Sequence, residues 1–345
     1  MEPQSHAVKR RRVVALVPAH NEADQIGACL DALEAQVDRV VVVADNCSDG
    51  TEHVASSRGA EVFRTRGNTH KKAGALNQAL ANVLPSLEPE DCILVVDADS
   101  FLGPEFVEAA LRRIDEGYAA VGGNFRGREG AGLVGMFQRN EYARYARDVG
   151  RLKGKCLVLT GTATLFRVAV LRRVALTRLD GNVFDHAVLT EDNELTLKLL
   201  HLGYRIISPK ECVLTTEVMP TWRELGRQRL RWKRGALQNL VQYGWTSVTR
   251  PYWARQVLSV LGVVATAVYA GTLLAAPFLG LHLHPFWLAV SGIFALERAI
   301  SVRERGFRQQ LLGALLFVEM IYDGFLQVVQ ARAYVDVLLG REGGW

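Results

Sequence analysis

The sequence predicts an α/β fold built on a mostly parallel sheet, with apolar helices following it towards the C-terminus. Three observations predict it. Short runs of Val, Ile and Leu alternate with helical patterns through the N-terminal part. Polar clusters sit where those runs end, and no Asp, Glu, Lys or Arg occurs between Val257 and Leu296. Strands buried on both faces read as near-continuous apolar runs, and helices between them make the sheet parallel.

Taken in order, residues 1–12 are a basic tail ending in Lys9-Arg10-Arg11-Arg12, without the apolar core of a secretory signal. Val13–Val17, Val40–Ala44, Ala60–Thr65 and Cys92–Asp97 read as strands. Ala23–Gln36, Thr51–Arg58, Ala73–Leu84 and Pro104–Gly117 read as the helices between them. From Ala119 to about Met219 the pattern is mixed: strands near Ala119–Arg126 and Tyr204–Ser208 flank a helix from Asp192 to about Leu202. A basic amphipathic stretch, Trp222–Tyr243, follows. With no repeat or low-complexity linker, residues 13–245 read as one domain and 246–345 as a membrane region.

Val257–Leu281 is long enough to cross a hydrocarbon core of roughly 30 Å as a helix. Its Gly and Pro residues are tolerated in lipid. A bend at His282, His284 and Pro285 leads to Phe286–Ile300, a second and shorter candidate span. Leu311–Val329 reads either as a third span or as an amphipathic helix in the interface, because Glu319 and Asp323 interrupt it. Those two acids need partners, from a second subunit of a homo-oligomer or from arginines at helix ends. Arg298, Arg303, Arg305 and Arg308 cluster between the second and third candidates, which places that loop in the cytosol.

The apolar fraction of 49% and charged fraction of 22% are those of an ordinary globular protein, so the asymmetry lies in the tail. The net charge of +5 suits an anionic lipid surface or phosphate-bearing ligands. No DNA-reading signature accompanies it, so nucleic acid is not an expected partner. Five cysteines are scattered singly with no CxxC pair, which argues against a disulfide framework or a zinc site.

In a parallel sheet, ligands bind at the carboxyl ends of the strands. Here Pro18-Ala19-His20-Asn21-Glu22 follows the first strand, Asp45 the second and Asp99 the fourth. Asp97 and Asp99 lie two apart on extended chain and face the same way. Such a pair suits Mg²⁺ or Mn²⁺; it reads equally as solvated aspartates in a strand-end turn. Asp45-Asn46-Cys47-Ser48-Asp49-Gly50-Thr51 is a turn entering a helix, with Ser48 or Asp49 as N-cap. A carboxylate at that strand end can also accept the imide proton of a pyrimidine base. Lys72 opens a helix near the same rim, a reasonable neighbour for a diphosphate.

Thr190-Glu191-Asp192 also precedes a helix. Its acids either complement the helix dipole, or one of them deprotonates an incoming hydroxyl as a general base. Gln228, Arg231 and Trp232 share a helix face, giving a forked guanidinium for phosphate beside an indole. The flanking Arg227, Arg229, Lys233 and Arg234 read as contacts to lipid headgroups.

Together these residues, in this order, resemble glycosyltransferase family 2, in particular its membrane-bound branch of cellulose, chitin, hyaluronan and poly-N-acetylglucosamine synthases. Pro18–Glu22, the Asp45 turn, Lys72–Asn77, Asp97-Ala98-Asp99, Gly161-Thr162, Thr190–Asp192 and Gln228–Trp232 carry the resemblance over about residues 12–245. It implies a GT-A fold, a doubly wound and mostly parallel sheet followed by transmembrane and interfacial helices. It also implies a nucleotide-sugar donor, most often a UDP-sugar, and inversion at the anomeric carbon. Pro18, Asn21, Glu22, Asp45, Lys72 and Asp97 would bind the nucleotide sugar, with Asp45 reading the base. Asp99 would ligate Mg²⁺ or Mn²⁺, and Asp192 would be the catalytic base. Gln228, Arg231 and Trp232 would hold the diphosphate and line the acceptor entrance, with Gly161, Thr162 and Glu191 on the acceptor side. Ala163 stands where the family often has a second Gly.

The polymer-exporting synthases usually carry membrane helices before the catalytic domain and a gating-loop motif after Gln228–Trp232, and neither is legible here. The expectation is therefore transfer of one or a few sugars to a lipid-linked or surface glycoconjugate by a cytosolic catalytic domain on a multi-pass membrane protein. A processive polysaccharide synthase and a polyprenyl-phosphate sugar synthase are the alternatives, although the latter usually lacks the Gln228–Trp232 pattern. Outside enzymes, a nucleotide-binding membrane scaffold would be expected to lose a motif residue, and none is lost.

Overall fold

A computed structural model describes residues 10–280 and 285–341. The tail through Lys9 and the bend at His282 and His284 lie outside those residues. In chain order the elements begin with β1 (Val13–Ala19), α1 (Ile26–Leu33), β2 (Arg39–Ala44), α2 (Thr51–Ser57), β3 (Glu61–Arg64) and α3 (Lys71–Val83). Next come β4 (Cys92–Val96), β5 (Phe101–Leu102), α4 (Phe106–Asp115), β6 (Ala120–Gly122), β7 (Asn124–Gly127) and α5 (Gly132–Arg151). Then follow β8 (Ala163–Arg167), α6 (Val168–Leu176), α7 (Glu191–His201), β9 (Ile206–Ile207), β10 (Val213–Thr216) and α8 (Trp222–Tyr243). The chain ends with α9 (Arg250–Leu279), α10 (Pro285–Ser301), α11 (Phe307–Ala314) and α12 (Leu316–Leu338).

The chain divides into two compact units. The first takes the chain through Asn124, with Leu159–His186 and Leu202–Leu214; the second takes Phe125–Val158, Ala187–His201 and everything from Thr215 on. The first unit is organised by a seven-stranded sheet in the order β3-β2-β1-β4-β8-β6-β9. β1 pairs in parallel with β2 and β4, β2 with β3, and β6 with β9. β8 alone runs against its neighbours β4 and β6. Three of the four runs read as strands lie inside the sheet as β1, β2 and β4, where Leu16, Val17, Val42, Val43, Ile93 and Leu94 are fully buried. Each such side chain contributes about 1.5–3 kcal/mol on leaving water, which is why these runs cannot serve as edges.

The mixed stretch hides most of what the sequence pattern missed. Ala119–Arg126 is not one strand. It breaks at Gly123 into β6 and β7, and the chain passes so close to Leu214 there that a Cβ on Gly123 would lie 2.2 Å from its Cδ2. Neither α5 nor β8 was anticipated.

The second unit is helical around Phe137, Leu225, Leu312 and Tyr322, with Phe137 and Tyr322 stacked at 4.9 Å. Within it α8 packs on α12 and α7, and α10 on α11. Among the described residues, one helix is long and apolar enough to cross a membrane, over Arg250–Ala276. Its side chains at Val257, Leu258, Leu261, Val264 and Val268 are exposed. α10 spans 17 residues. The third candidate, Leu311–Val329, is not a single helix: α11 and α12 meet at 77°.

Glu319 and Asp323 find their partners in this chain, which removes the argument for a second subunit. Glu319, 1% exposed, pairs with Arg144 at 2.8 Å and with Arg298, and accepts from Asn140 Nδ2 at 3.1 Å. Arg298 also pairs with Asp323 at 2.5 Å.

Candidate active site

The register of the first unit aligns the ends of β1 and β2, Ala19 opposite Ala44, with β4 on the other side of β1. His20, Asp45 and Asp97 therefore leave three adjacent strands at their carboxyl ends. The loops after β1 and β2 are laced together. Asn21 Oδ1 accepts from the Ser48 N–H at 2.8 Å, and the Glu22 N–H donates to Thr51 Oγ1 at 2.8 Å. Asn21, Asn46 and Lys71 all hold positive φ, near 50–60°, a region that costs a non-glycine residue energy and clusters at working sites. Pro18 sits half-buried near the end of β1. The N-cap position of α2 is Gly50, not Ser48 or Asp49; Asp49 Oδ1 instead accepts from the Thr51 N–H at 3.0 Å.

Asp45 is 8% exposed, and three donors converge on its Oδ1: Thr65 Oγ1 at 2.8 Å, Asn68 Nδ2 at 2.8 Å and Asn46 Nδ2 at 3.1 Å. The strand leading to the aspartate pair stops at Val96, and Asp97–Ser100 form a turn in which the Ser100 N–H donates to the Asp97 carbonyl at 3.0 Å. The alternation persists nonetheless: Asp97 and Asp99 are half-buried while Ala98 and Ser100 are buried. Lys72 Nζ lies 2.5 Å from Asp97 Oδ1 and 3.2 Å from the Gly161 carbonyl, tying the start of α3 to the aspartate turn and to the Gly161-Thr162 segment. The Asp97 N–H donates to the Thr162 carbonyl at 3.0 Å. Beneath the turn, burial and then the nearby Asp99 and Asp97 push the Cys29 thiol up, so it stays protonated and donates to the Asp97 carbonyl at 3.6 Å. All five cysteines are free.

No three His, Cys, Asp or Glu side chains come together as a metal cluster among the described residues. The donor set at Asp97 and Asp99 is two carboxylates, one of them already facing Lys72. That fits a cation that takes its remaining ligands from a bound diphosphate and water.

Beside Asp45 a cleft of about 210 Å³ is lined by Asn68, His70, Gly74, Asn77 and His186, among others. Asn77 Oδ1 accepts from the Val183 and Phe184 N–H groups at 3.1 and 2.9 Å, and its Nδ2 reaches His186 Nε2 at 2.7 Å. His70 stacks on His186 with ring centres 4.3 Å apart. His70 and Asn77 are legible in the sequence only as flanks of the Lys72 stretch, and no local pattern marks His186.

The other predicted residues belong to the second unit. Glu191 and Asp192 open α7, half-buried, and the Asn193 N–H donates to Asp192 Oδ1 at 2.7 Å. α8 holds this turn from one side. Asn239 Nδ2 donates to the Thr190 carbonyl, to Thr190 Oγ1 and to Asn193 Oδ1 at 3.3, 3.2 and 3.0 Å. Gly235 lets the helix close on Thr190, whose Oγ1 would stand 2.4 Å from a Cβ there. Neither Gly235 nor Asn239 was anticipated.

Gln228, Arg231 and Trp232 share α8 as expected, with Gln228 and Arg231 half-buried and Trp232 37% exposed. The lipid-headgroup reading of their basic neighbours fails at two of four positions. Arg229, 2% exposed, pairs with Glu141 at 3.0 Å, and Arg234, 7% exposed, pairs with Asp336 at 3.7 Å. Arg227 and Lys233 are exposed. Buried guanidinium groups next to carboxylates are structural cations, and periodicity alone could not distinguish them from surface ones.

The sequence model of the family described as "Glycosyltransferase like family 2" matches residues 10–235. The chain belongs to this family. A family 2 glycosyltransferase is an enzyme, and the matched range holds the strand-end set together with Asp192 and Gln228–Trp232. Its relatives include a poly-beta-1,6-N-acetyl-D-glucosamine synthase of Staphylococcus aureus, 25% identical over 287 residues, covering 78% of this chain and 67% of the relative. An uncharacterized glycosyltransferase of Escherichia coli is 29% identical over 238 residues, covering 65% of this chain and 56% of the relative. Among solved structures, a mannosyltransferase from Pyrobaculum calidifontis, in complex with GDP-Man and Mn²⁺, has a TM-score of 0.64 at 21% identity. It covers 97% of this chain and 89% of its own, so the fold of this glycosyltransferase is of the GT-A type.

Proposed function

We propose that this glycosyltransferase moves a sugar from a nucleotide-sugar donor to an acceptor hydroxyl with inversion at the anomeric carbon. The acceptor would be a lipid-linked or surface glycoconjugate. The observation that carries the reading is the gathering of Asp45, Asn21, Asp97, Asp99 and Lys72 at the carboxyl ends of adjacent strands. Ligands of doubly wound sheets bind at such edges.

Asp45 would read the base, its Oδ1 fixed by three donors and Oδ2 left to accept an imide proton. Lys72 would exchange part of its contact with Asp97 for the diphosphate, aided by Pro18, Asn21 and Glu22 along the rim. Asp99, with Asp97 nearby, would hold Mg²⁺ or Mn²⁺, which when bound supplies Lewis-acid stabilisation of the diphosphate charge. Asp192 would accept the proton of the acceptor hydroxyl. The acceptor oxygen would then form a bond to the anomeric carbon as the bond from that carbon to the diphosphate oxygen breaks. Arg231 and Gln228 would hold the departing diphosphate, while Trp232, Glu191, Gly161 and Thr162 would border the acceptor. The apolar Arg250–Ala276 helix supports membrane attachment, with Arg303, Arg305 and Arg308 favouring a cytosolic catalytic part.

The test is a panel of UDP- and GDP-sugars turned over by the purified chain in detergent with Mn²⁺ or Mg²⁺. We expect metal-dependent turnover of one donor, lowered about 10²–10⁴-fold in Asp192→Asn. Retained activity in that variant rejects the base assignment, and no turnover of any donor rejects the reading. Processive synthesis is the second reading, favoured by the likeness to a poly-N-acetylglucosamine synthase. Labelled products decide between the two: a ladder of long chains sinks the short-transfer proposal.

A further inference from the structure

We infer that Arg229 is a positioning residue that sets the orientation of both Gln228 and Trp232. The inference rests on the reading above, in which those two side chains meet the diphosphate and the acceptor. Arg229 is 2% exposed, yet it touches both. Its Nη1 donates to Gln228 Oε1 at 3.2 Å, and its Cζ lies 4.3 Å from the centre of the Trp232 ring. On its other side the same group lies 5.5 Å from the Tyr142 ring, with Nη2 3.0 Å from Glu141 Oε2. Glu141 is itself held by the Tyr322 hydroxyl from α12.

The chemistry of the group fixes what this does. A guanidinium has donors only, so it engages the Gln228 amide through its oxygen and turns the NH₂ away from itself. The amide then presents a donor, the polarity a diphosphate or sugar oxygen requires. The same cation lies over the indole face and fixes the ring plane, an attraction of about 0.5–2 kcal/mol. Burial pulls the Arg229 guanidinium down, but Glu141, Tyr142 and Tyr322 outweigh that and hold it above its usual value, so the charge persists. A lysine keeps that charge but, as a point cation, cannot lie flat on the indole and fork to two oxygens together.

The test compares Arg229→Lys in the parent and in a Gln228→Ala, Trp232→Phe background, using the full chain in detergent. In the parent we expect kcat/KM to fall about 10–100-fold through misplacement of the two side chains, with the thermal midpoint near that of the parent. The tryptophan emission component that Trp232→Phe removes should shift. In the double background the same substitution should cost less than about threefold, since residues that act as a unit are not additive. Equal loss in both backgrounds, or unchanged kcat/KM and emission in Arg229→Lys, overturns the inference. Should Arg229→Lys lower the thermal midpoint, Arg229→Met with Glu141→Gln leaves no buried unpaired charge and carries the same comparison. If the Gln228→Ala, Trp232→Phe chain turns over like the parent, it is the role given to the motif that fails, and the emission shift then decides the orientation alone.

Discussion

His186 shows how a single proton is placed by its surroundings. Asn77 gives its oxygen to two backbone N–H groups, so its NH₂ faces His186 Nε2, which must carry a lone pair. Burial, and then the neighbouring His70, hold the imidazole below its ordinary 6.5, while Asp180 and Asp185 oppose that shift and Arg178 adds to it. A histidine kept neutral in the fold contributes stability that is complete above about 6.5 and lost as pH falls towards the lower folded value. We therefore predict that the thermal midpoint declines as pH drops from about 7 to about 5.5. His186→Gln, which keeps an acceptor but does not titrate, should flatten that decline. An identical slope in parent and variant would assign the effect to other groups. At this scale the sequence was most informative where chemistry is local. Asp45 and Asp97 follow strand ends and Lys72 opens a helix, as the pattern placed them, whereas His186 and Arg229 depend on contacts between segments far apart in sequence.

Among the elements, α8 was legible to the residue and α5 not at all, for one reason. α8 carries an apolar stripe, and Thr221 starts it: its Oγ1 accepts from the Glu224 N–H at 3.2 Å and donates to the Glu224 carboxylate at 2.8 Å. That threonine-x-x-glutamate signature was available in the sequence and would have fixed the N-terminus. α5 instead buries Gln138, Arg139 and Asn140 next to Phe137 and Tyr142, so polar side chains interrupt the apolar periodicity of its inner face. Those groups are satisfied by distant partners, such as the Gly130 and Met219 carbonyls and Glu319. The close passage of α8 over Thr190 yields the prediction proper to this scale. Gly235→Ala gains up to about 1 kcal/mol of helix propensity. It also sets a methyl against a buried threonine that Asn239 holds in place, and overpacking of that kind costs about 1–3 kcal/mol. The clash should win: a lower thermal midpoint, and a drop in kcat larger than that in donor affinity, because Asp192 is two residues beyond Thr190. An Asn239→Ala variant should move kcat the same way. Unchanged kcat in both, measured beside thermal unfolding, would detach α8 from the base.

At the scale of the whole chain, hydropathy picked out the long apolar helix α9 and the shorter α10, but not the break between α11 and α12. Composition registers Glu319 and Asp323 only as interruptions. The fold makes them the anchor of the second unit, where Arg144 and Arg298 converge on Glu319 from α5 and α10. Removing one member of a buried ion pair leaves the others uncompensated, which costs about 3–5 kcal/mol. Glu319→Gln keeps the shape and the Asn140 contact but takes the counter-charge from Arg144 and leaves Arg298 with Asp323. We predict a clearly lower thermal midpoint and a smaller folded fraction after purification. Adding Arg144→Met should recover part of the loss, since the stranded cation is then gone while Arg298 keeps Asp323. If Glu319→Gln and Arg144→Met instead add independently, the two do not interact in the folded protein. If Glu319→Gln is neutral, the helices α5, α10 and α12 are held by their apolar contacts and not by these charges.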